Sequence, residues 1–183
     1  MTAMPVVPHE FREWTVDDLE RIPDDGLQYE LLDGMLLVSP SPAALHQWVS
    51  GRLFLILTAG CPAGLKVFFA PLDWQPDPLT SFQPDLLVVR DEDVDIKNIT
   101  RPLVLAVEVL SPSTGRKDLL LKRSKYEDSG VRHYWIVDPD APSITALELV
   151  DGRFVTVGEA IGEGQLSVEK PFPVTIVPAQ LIA

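Results

Sequence analysis

The chain has 183 residues, 46% of them hydrophobic, which suits one folded domain with a sizeable core and excludes a largely disordered protein. Its 27 acidic residues outnumber its 15 basic residues, and the net charge of −12 argues against broad electrostatic binding of nucleic acid. The apolar runs that are free of charge and proline are too short to span a bilayer, so we expect no membrane association.

The N-terminal part is predicted to hold a leader and a first helix. Residues 1–13 contain two prolines and are expected to form a flexible leader before a single domain at 14–183. They also lack the basic and apolar segments of a secretion signal. Thr15, followed closely by two aspartates, predicts a helix N-cap, and the helix is expected to end near Pro23.

Apolar spacing and turn residues predict the remaining elements. The pair Asp33-Gly34, favoured in type I′ turns, predicts a hairpin over residues 29–38. A helix is expected from Ser41 to about Gly60, with an apolar face made of Leu45, Trp48, Val49, Leu53, Ile56 and Leu57. The later elements are expected to be strands near 65–74, 85–90 and 102–110, a helix ending near Ser129, a strand at 132–138, a hairpin at 144–157 and one or two short tail strands. This order predicts a mixed α/β sandwich with one central sheet.

Two acidic residues stand in apolar segments that are predicted to be buried strands. Asp85 begins one such segment, and Glu108 lies near the end of Leu103–Leu110. A buried carboxylate is costly unless it is paired, hydrogen-bonded or bound to a metal. If the two strands form a hairpin, the start of one lies beside the end of the other, so both carboxylates converge. Oxygen ligands of this kind suit Mg²⁺ or Mn²⁺.

A lysine on the following helix extends this candidate site. Asp118, Lys122 and Tyr126 are four residues apart and therefore share one helix face. Lys122 is expected to stabilise charge on an attacked phosphate or to orient a water whose pKa the metal lowers. Tyr126 is expected to be a core aromatic residue with a satisfied hydroxyl. Lys125 is the second choice for the lysine role, because it lies on a different helix face.

Other reactive side chains are expected to have structural roles. His46 is a lone histidine on an amphipathic helix and is expected to pack or to face solvent. Ser111 stands in no Gly-x-Ser-x-Gly motif and is expected to cap the next helix. The single cysteine, Cys61, cannot form an internal disulfide, so we expect a reducing, cytoplasmic location.

Taken together, these motifs resemble a bacterial family of restriction-endonuclease-like proteins within the PD-(D/E)XK nuclease superfamily. The resemblance covers about residues 12–175 and rests on the joint order of several short segments. These are Tyr29–Gly34, Ser39–Pro42 with His46, Pro84-Asp85, Glu108–Thr114, Asp118–Tyr126, Gly130-Val131 and Tyr134–Pro139. It implies a restriction-endonuclease-like core, in which helices flank a mixed central β-sheet, and metal-dependent phosphodiester cleavage.

The resemblance also implies roles for individual residues. Asp85 and Glu108 correspond to the two acidic residues of the superfamily motif, and the motif's lysine would fall at Leu110. The family shows the same loss and uses the helix lysine instead, which is Lys122 in this chain. Glu30 matches an acidic position of the family and is expected to complete the metal site with Asp85 and Glu108.

The leading hypothesis is a Mg²⁺-dependent (or Mn²⁺-dependent) endonuclease that hydrolyses phosphodiester bonds in DNA. One alternative is a catalytically silent module that keeps the nuclease fold for binding or assembly, which the acidic net charge and Leu110 favour. Another is a phosphodiesterase acting on RNA or a small substrate, which an acidic surface suits better than duplex DNA. A homodimer is expected, because enzymes that cut both strands often combine two sites.

Overall fold

The structure, a computed structural model, describes residues 13–111 and 116–183, and it describes side chains on the third helix from residue 119 onward. Its helices are α1 (Val16–Leu19), α2 (Ala44–Gly60), α3 (Arg116–Asp128) and α4 (Pro178–Leu181), with a 3₁₀ turn at Asp91–Asp93. Its strands are β1 (Gln28–Leu32), β2 (Met35–Ser39), β3 (Leu65–Phe69), β4 (Trp74–Asp77), β5 (Thr80–Phe82), β6 (Leu86–Arg90), β7 (Leu105–Val109), β8 (His133–Asp138), β9 (Ser143–Val150), β10 (Arg153–Ile161), β11 (Leu166–Val168) and β12 (Val174–Ile176). None of these helices has the length and apolar character that crossing a membrane requires.

A six-stranded sheet forms the centre of the fold, with the strand order β10-β9-β8-β7-β6-β3. Only β7 and β8 are parallel, and α3 connects them, so the sheet is mixed as predicted. The prediction of one sheet was incomplete, because β2-β1-β5-β4 form a four-stranded sheet and β11-β12 a short hairpin. The central mixed sheet flanked by helices is nevertheless confirmed.

Local sequence signals explain several element boundaries. The backbone N–H of Thr15 donates to the Asp18 carboxylate at the start of α1, 3.0 Å away, as expected of a capped helix. Asp33 and Gly34 adopt φ values of 48° and 79°, the left-handed pair that a type I′ hairpin turn needs. The predicted leader (residues 1–13) and the capping segment lie outside the described residues, except for positions 13 and 111.

Two predicted details were wrong. The strand expected over 65–74 ends at Phe69, and Trp74 begins a separate strand that pairs with β5. On α2, Leu45 and Trp48 are exposed instead of belonging to the apolar face. The buried positions of that helix are His46, Val49, Ser50, Leu53 and Leu57. The packed face of α2 is therefore rotated from the predicted one and includes polar residues at its N-terminal end.

The two faces of the central sheet support two separate cores. One core joins α2 to the face that includes Leu86 and Val107, and the other joins α3 and the four-stranded sheet to the face that includes Leu87 and Ala106. Side chains alternate along a strand, so Glu108 points to the same face as Ala106. The fold therefore directs Glu108 towards α3 and β1, the two elements that carry Lys122 and Glu30.

Candidate active site

Four charged residues from separate elements line one pocket at the end of the central sheet. They are Glu30 on β1, Asp85 just before β6, Glu108 in β7 and Lys122 on α3. The antiparallel pair β6–β7 has Leu86 opposite Val107, which places Asp85 beside Glu108 in the register. Accordingly, the backbone N–H of Val109 donates to Asp85 Oδ2 at 2.7 Å. The predicted convergence of the two strand carboxylates is therefore present.

Lys122 bridges two of these carboxylates. Its Nζ atom lies 2.8 Å from Glu30 Oε2, 2.9 Å from Glu30 Oε1 and 3.3 Å from Glu108 Oε1. The lysine side chain is only 8% exposed, so the ammonium depends on these partners for compensation of its lost hydration. It also lies 5.3 Å from the ring centre of Phe82, a distance suited to a cation–π contact.

Backbone and hydroxyl donors hold the two glutamates in place. The N–H of Gln83 donates to Glu30 Oε1 at 2.8 Å, and the Tyr126 hydroxyl donates to Glu108 Oε1 at 2.7 Å. Tyr126 is completely buried among aromatic residues, as predicted for a core residue whose hydroxyl is satisfied. Both glutamates therefore sit in a rigid frame, and each has at least one partner besides Lys122.

The carboxylates of the site outnumber its cationic side chains. Burial raises the pKa of Glu108 to about 7; the positive charge of Lys122 opposes this rise, and the carboxylates of Asp85 and Glu30 add to it. Burial alone would lower the pKa of Lys122, but Glu108 and Glu30 outweigh burial and raise it above its ordinary 10.5. Three carboxylates thus share the pocket with the Lys122 ammonium and the His46 imidazole, and this oxygen-rich set suits a further cation.

His46 also belongs to this site, although sequence reasoning expected it to pack or to face solvent. Its Nε2 atom lies 3.1 Å from Asp85 Oδ1, and its side chain is 9% exposed. Burial alone would lower the pKa of His46, but the neighbouring Asp85 carboxylate outweighs burial and raises it. The signal that could have identified it is spacing, because His46 stands three and seven residues before the buried Val49 and Leu53.

The structure also locates the other candidate residues on and near α3. Lys125 pairs with Asp33 and with Asp77, 2.9 Å away, so it faces away from the pocket as its helix position predicted. Ser111 lines the pocket. The side chain of Asp118, which was expected to share the Lys122 face, is outside the described residues. Lys122 is therefore the lysine that this fold presents to Glu30 and Glu108.

The donor set fits a hard divalent cation that keeps most of its own water. Among the side chains that the structure describes, in residues 13–111 and 119–183, no three His, Cys, Asp or Glu form a group that could hold a metal ion as they stand. Mg²⁺, however, usually binds proteins through one or two carboxylates and completes its shell with water and substrate phosphate. Asp85 and Glu108 offer two such carboxylates in one pocket. Both described bonds of Glu108 end on Oε1.

A mixed sheet with an acidic pair at one strand end and a buried lysine on the adjoining helix defines a protein of the restriction-endonuclease-like class. The chain belongs to the Uma2 family, described as "Putative restriction endonuclease", whose match extends over residues 16–180. This match confirms the resemblance inferred from the short motifs.

Structural comparison agrees with the family. The fold is similar to the crystal structure of a nuclease described as putative and assigned to DUF820, from Anabaena variabilis ATCC 29413, with a TM-score of 0.72. The alignment covers 92% of this chain and 99% of that chain at 14% sequence identity, so the likeness concerns the fold. No curated protein matches the chain.

Proposed function

We propose that this protein is a divalent-metal-dependent endonuclease that hydrolyses phosphodiester bonds, with DNA as its substrate and Mg²⁺ or Mn²⁺ as its cofactor. The observation that carries the proposal is the convergence of Glu30, Asp85, Glu108 and Lys122 in one pocket, where carboxylates outnumber cationic side chains. Membership of a family described as restriction endonucleases supports nucleic acid as the substrate class.

Each residue has a role that follows from its contacts. Asp85 and Glu108 would hold the metal, and Glu30 would complete the site directly or through water. The bound metal would supply a water of lowered pKa and neutralise charge on the attacked phosphate. Lys122, held between Glu30 and Glu108, would bind a phosphate oxygen and stabilise the charge that develops there.

Substitution of Asp85 tests this proposal most directly. We expect Asp85→Ala to abolish Mg²⁺-dependent cleavage of plasmid and oligonucleotide DNA, and to abolish saturable Mn²⁺ binding measured by calorimetry. The matched control is Asp91→Ala, which removes the aspartate that directly follows the opposite end of β6 and faces Lys66 at 3.8 Å. The control should cleave and bind metal like wild type.

Retention of cleavage by Asp85→Ala would show that the assignment is wrong. Absence of cleavage in wild type, with Mn²⁺ binding intact, would direct the search to RNA or small phosphodiesters. If wild type neither binds metal nor cleaves, the silent-module alternative is favoured. One observation supports that alternative: Lys122 already pairs with both glutamates, as a purely structural ion pair would.

The proposal includes a homodimer and a cytoplasmic location. Strand β10 is an edge of the central sheet, and Val155, Val157 and Ile161 on it are exposed, as an interface between two copies would require. Light scattering over a range of concentrations tests the dimer, and a mass of one chain throughout would exclude it. The free Cys61 suits a reducing compartment, and fractionation of cells that express the protein tests the location.

A further inference from the structure

A second pocket adjoins the candidate active site and shares Asp85 with it. Its cavity volume is about 140 Å³, and it lies between α2 and the end of β3. Its other walls are Gln47, Ser50, Gly51, Phe54, Phe69 and Ala70. The N–H of Ala70 donates to the backbone oxygen of Asp85 at 3.1 Å, so the pocket wall and the proposed metal ligand are held together. A group seated in this pocket therefore lies next to whatever binds at Asp85.

An exposed aromatic ring forms one wall of the pocket. Phe69 is 58% exposed at the end of the edge strand β3, and Phe54 supports it edge-to-face at 4.9 Å between ring centres. This contact fixes the Phe69 ring and leaves much of it in solvent. A fixed and exposed phenyl ring is the kind of surface on which single-stranded nucleic-acid-binding proteins stack bases.

The opposite wall contains a glycine that the packing of the protein does not require. Gly51 lies in the interior of α2, where glycine weakens a helix relative to alanine. A Cβ atom added there would meet nothing within 4 Å apart from its chain neighbours and the backbone of its own helix. The missing side chain instead keeps this side of the pocket open, which makes room for a ligand.

The polar groups of the pocket suit a neutral heterocycle. The exposed Gln47 amide offers both a donor and an acceptor, and Ser50, whose hydroxyl donates to the His46 carbonyl, still offers lone pairs. Asp85 is the one charged residue in this lining, so the pocket itself offers no cation to a phosphate. A flat ring with polar edges fits these walls better than an anion does.

We infer that this pocket binds a nucleobase of the substrate, adjacent to the phosphate held at Asp85. This inference rests on the proposed function. It adds to that function the conformation in which the substrate binds. A base can reach Phe69 only when it is unstacked from its neighbours and unpaired. The substrate therefore presents a single-stranded or extruded nucleotide beside the cleaved bond.

Base stacking can be measured with a fluorescent probe. The probe is a single-stranded oligodeoxynucleotide that carries one 2-aminopurine, whose emission falls on stacking, titrated in Ca²⁺ and separately in EDTA. We expect quenching with wild type and with Phe69→Trp. The affinity should fall about 5- to 150-fold in Phe69→Ala, the range expected for loss of one base–aromatic stack. Gly51→Leu should block the pocket and cause a similar loss.

Leu55→Ala is the matched control. Leu55 is an exposed apolar residue of α2, the helix that carries Gly51 and Phe54, and it does not line the pocket. It should bind the probe like wild type. Unchanged affinity in both Phe69→Ala and Gly51→Leu would overturn the inference, as would a failure of wild type to quench the probe. A change of oligomeric mass in Phe69→Ala without a change in affinity would also overturn it, because the pocket would then be a contact between copies.

Cleavage of the same oligonucleotide in Mg²⁺ separates this inference from the proposed function. If wild type cleaves and Phe69→Ala cleaves equally well, the nucleobase pocket is wrong and the nuclease assignment stands. If no variant cleaves but Phe69→Ala loses affinity for the probe, the pocket is supported and the nuclease assignment fails.

Discussion

Two buried glutamates, Glu108 on β7 and Glu127 on α3, show how differently this fold treats one residue type. The side chains of Glu108 and Glu127 are 8% and 7% exposed. Glu127 accepts the N–H of Phe154 at 2.8 Å and pairs with Arg153 at 3.2 Å and with Arg123 at 3.4 Å. Burial alone would raise the pKa of Glu127, but these donors outweigh burial and lower it below 4.5.

At Glu108 the effect of burial on the pKa is larger than the effect of the favourable partners. Its site holds three carboxylates, one ammonium and the His46 imidazole, and burial raises its pKa to about 7. Glu127 meets two guanidinium groups by itself, which is enough to neutralise it and to anchor β10 on α3. Both side chains have low exposure, yet burial prevails at Glu108 and the neighbouring donors prevail at Glu127, so the two pKa values move in opposite directions.

Removal of Lys122 should have the largest effect on stability. Lys122→Met leaves Glu30 and Glu108 buried without a counter-ion, and we expect a loss of about 3–5 kcal/mol in the free energy of unfolding at neutral pH. The loss should be smaller near pH 5, where the carboxyls can take up protons. Urea unfolding measures it. Lys125→Met is the control, since Lys125 pairs with the more exposed Asp33 and Asp77 and should cost about 1 kcal/mol or less. Equal losses in the two variants would contradict this account.

The pH dependence of stability should separate the two glutamates. Because the pKa of Glu108 is raised, its favourable contribution is complete below about pH 4.5 and is lost as the pH rises through about 7. Glu108→Gln should therefore gain stability relative to wild type between about pH 5 and 8, by up to about 3 kcal/mol. The contribution of Glu127 has the opposite sign, being present above pH 4.5 and lost at lower pH.

Urea unfolding over a pH series checks this sign. Glu127→Gln should be less stable than wild type at pH 7, and the difference should shrink as the pH falls below about 4.5. If the difference in unfolding free energy between Glu108→Gln and wild type does not change from pH 5 to 8, the Glu108 pKa is not raised.

Loss of His46 should weaken the site without unfolding the protein. His46→Ala removes the Nε2 contact to Asp85 Oδ1, while the Val109 N–H still holds the other carboxylate oxygen. We expect metal affinity and cleavage to fall about 10- to 100-fold, as is usual for groups that orient a metal ligand. Calorimetry with Mn²⁺ measures the affinity. His133→Ala, which removes another buried histidine far from Asp85 in the sheet, should leave Mn²⁺ affinity unchanged.

The smallest expected effect belongs to the Tyr126 hydroxyl. Tyr126→Phe removes one hydrogen bond to Glu108 Oε1 and keeps the aromatic packing, so a loss of about 1 kcal/mol is expected. Because this hydrogen bond lowers the pKa of Glu108, that pKa should rise further in the variant. A comparison of the pH profiles of wild type and variant checks the shift, and a profile that moves towards lower pH would contradict the assigned role.

Much of the site could be predicted from short segments of sequence. An antiparallel strand pair brings the start of one strand beside the end of the other, which predicted that Asp85 and Glu108 converge. Helix periodicity placed Lys122 and Tyr126 on one face and Lys125 on another. Glu30 required the family resemblance, because nothing in its hairpin indicates which distant residue it meets.

Other features escaped sequence reasoning for physical reasons. The four-stranded sheet was missed because β4 contains Pro76 and β5 has only three residues, so neither shows clear alternation. His46 was missed because its role depends on where the N-terminal end of α2 meets the sheet. Trp48 was placed on the wrong helix face, because an exposed tryptophan and a buried one look alike in a sequence.

The sequence by itself determined the order of the two long helices and of the central strands, the type I′ turn at Asp33-Gly34 and the combination of acidic residues with a helix lysine, because these depend on local geometry and spacing. The tertiary structure alone decided which carboxylates share Lys122, that His46 faces Asp85, and that Phe69 and Gly51 border an open pocket. Those relations join residues far apart in the chain. They arise only when packing brings separate helices and strands together, and that packing also sets the burial and charge on which the chemistry of the site depends.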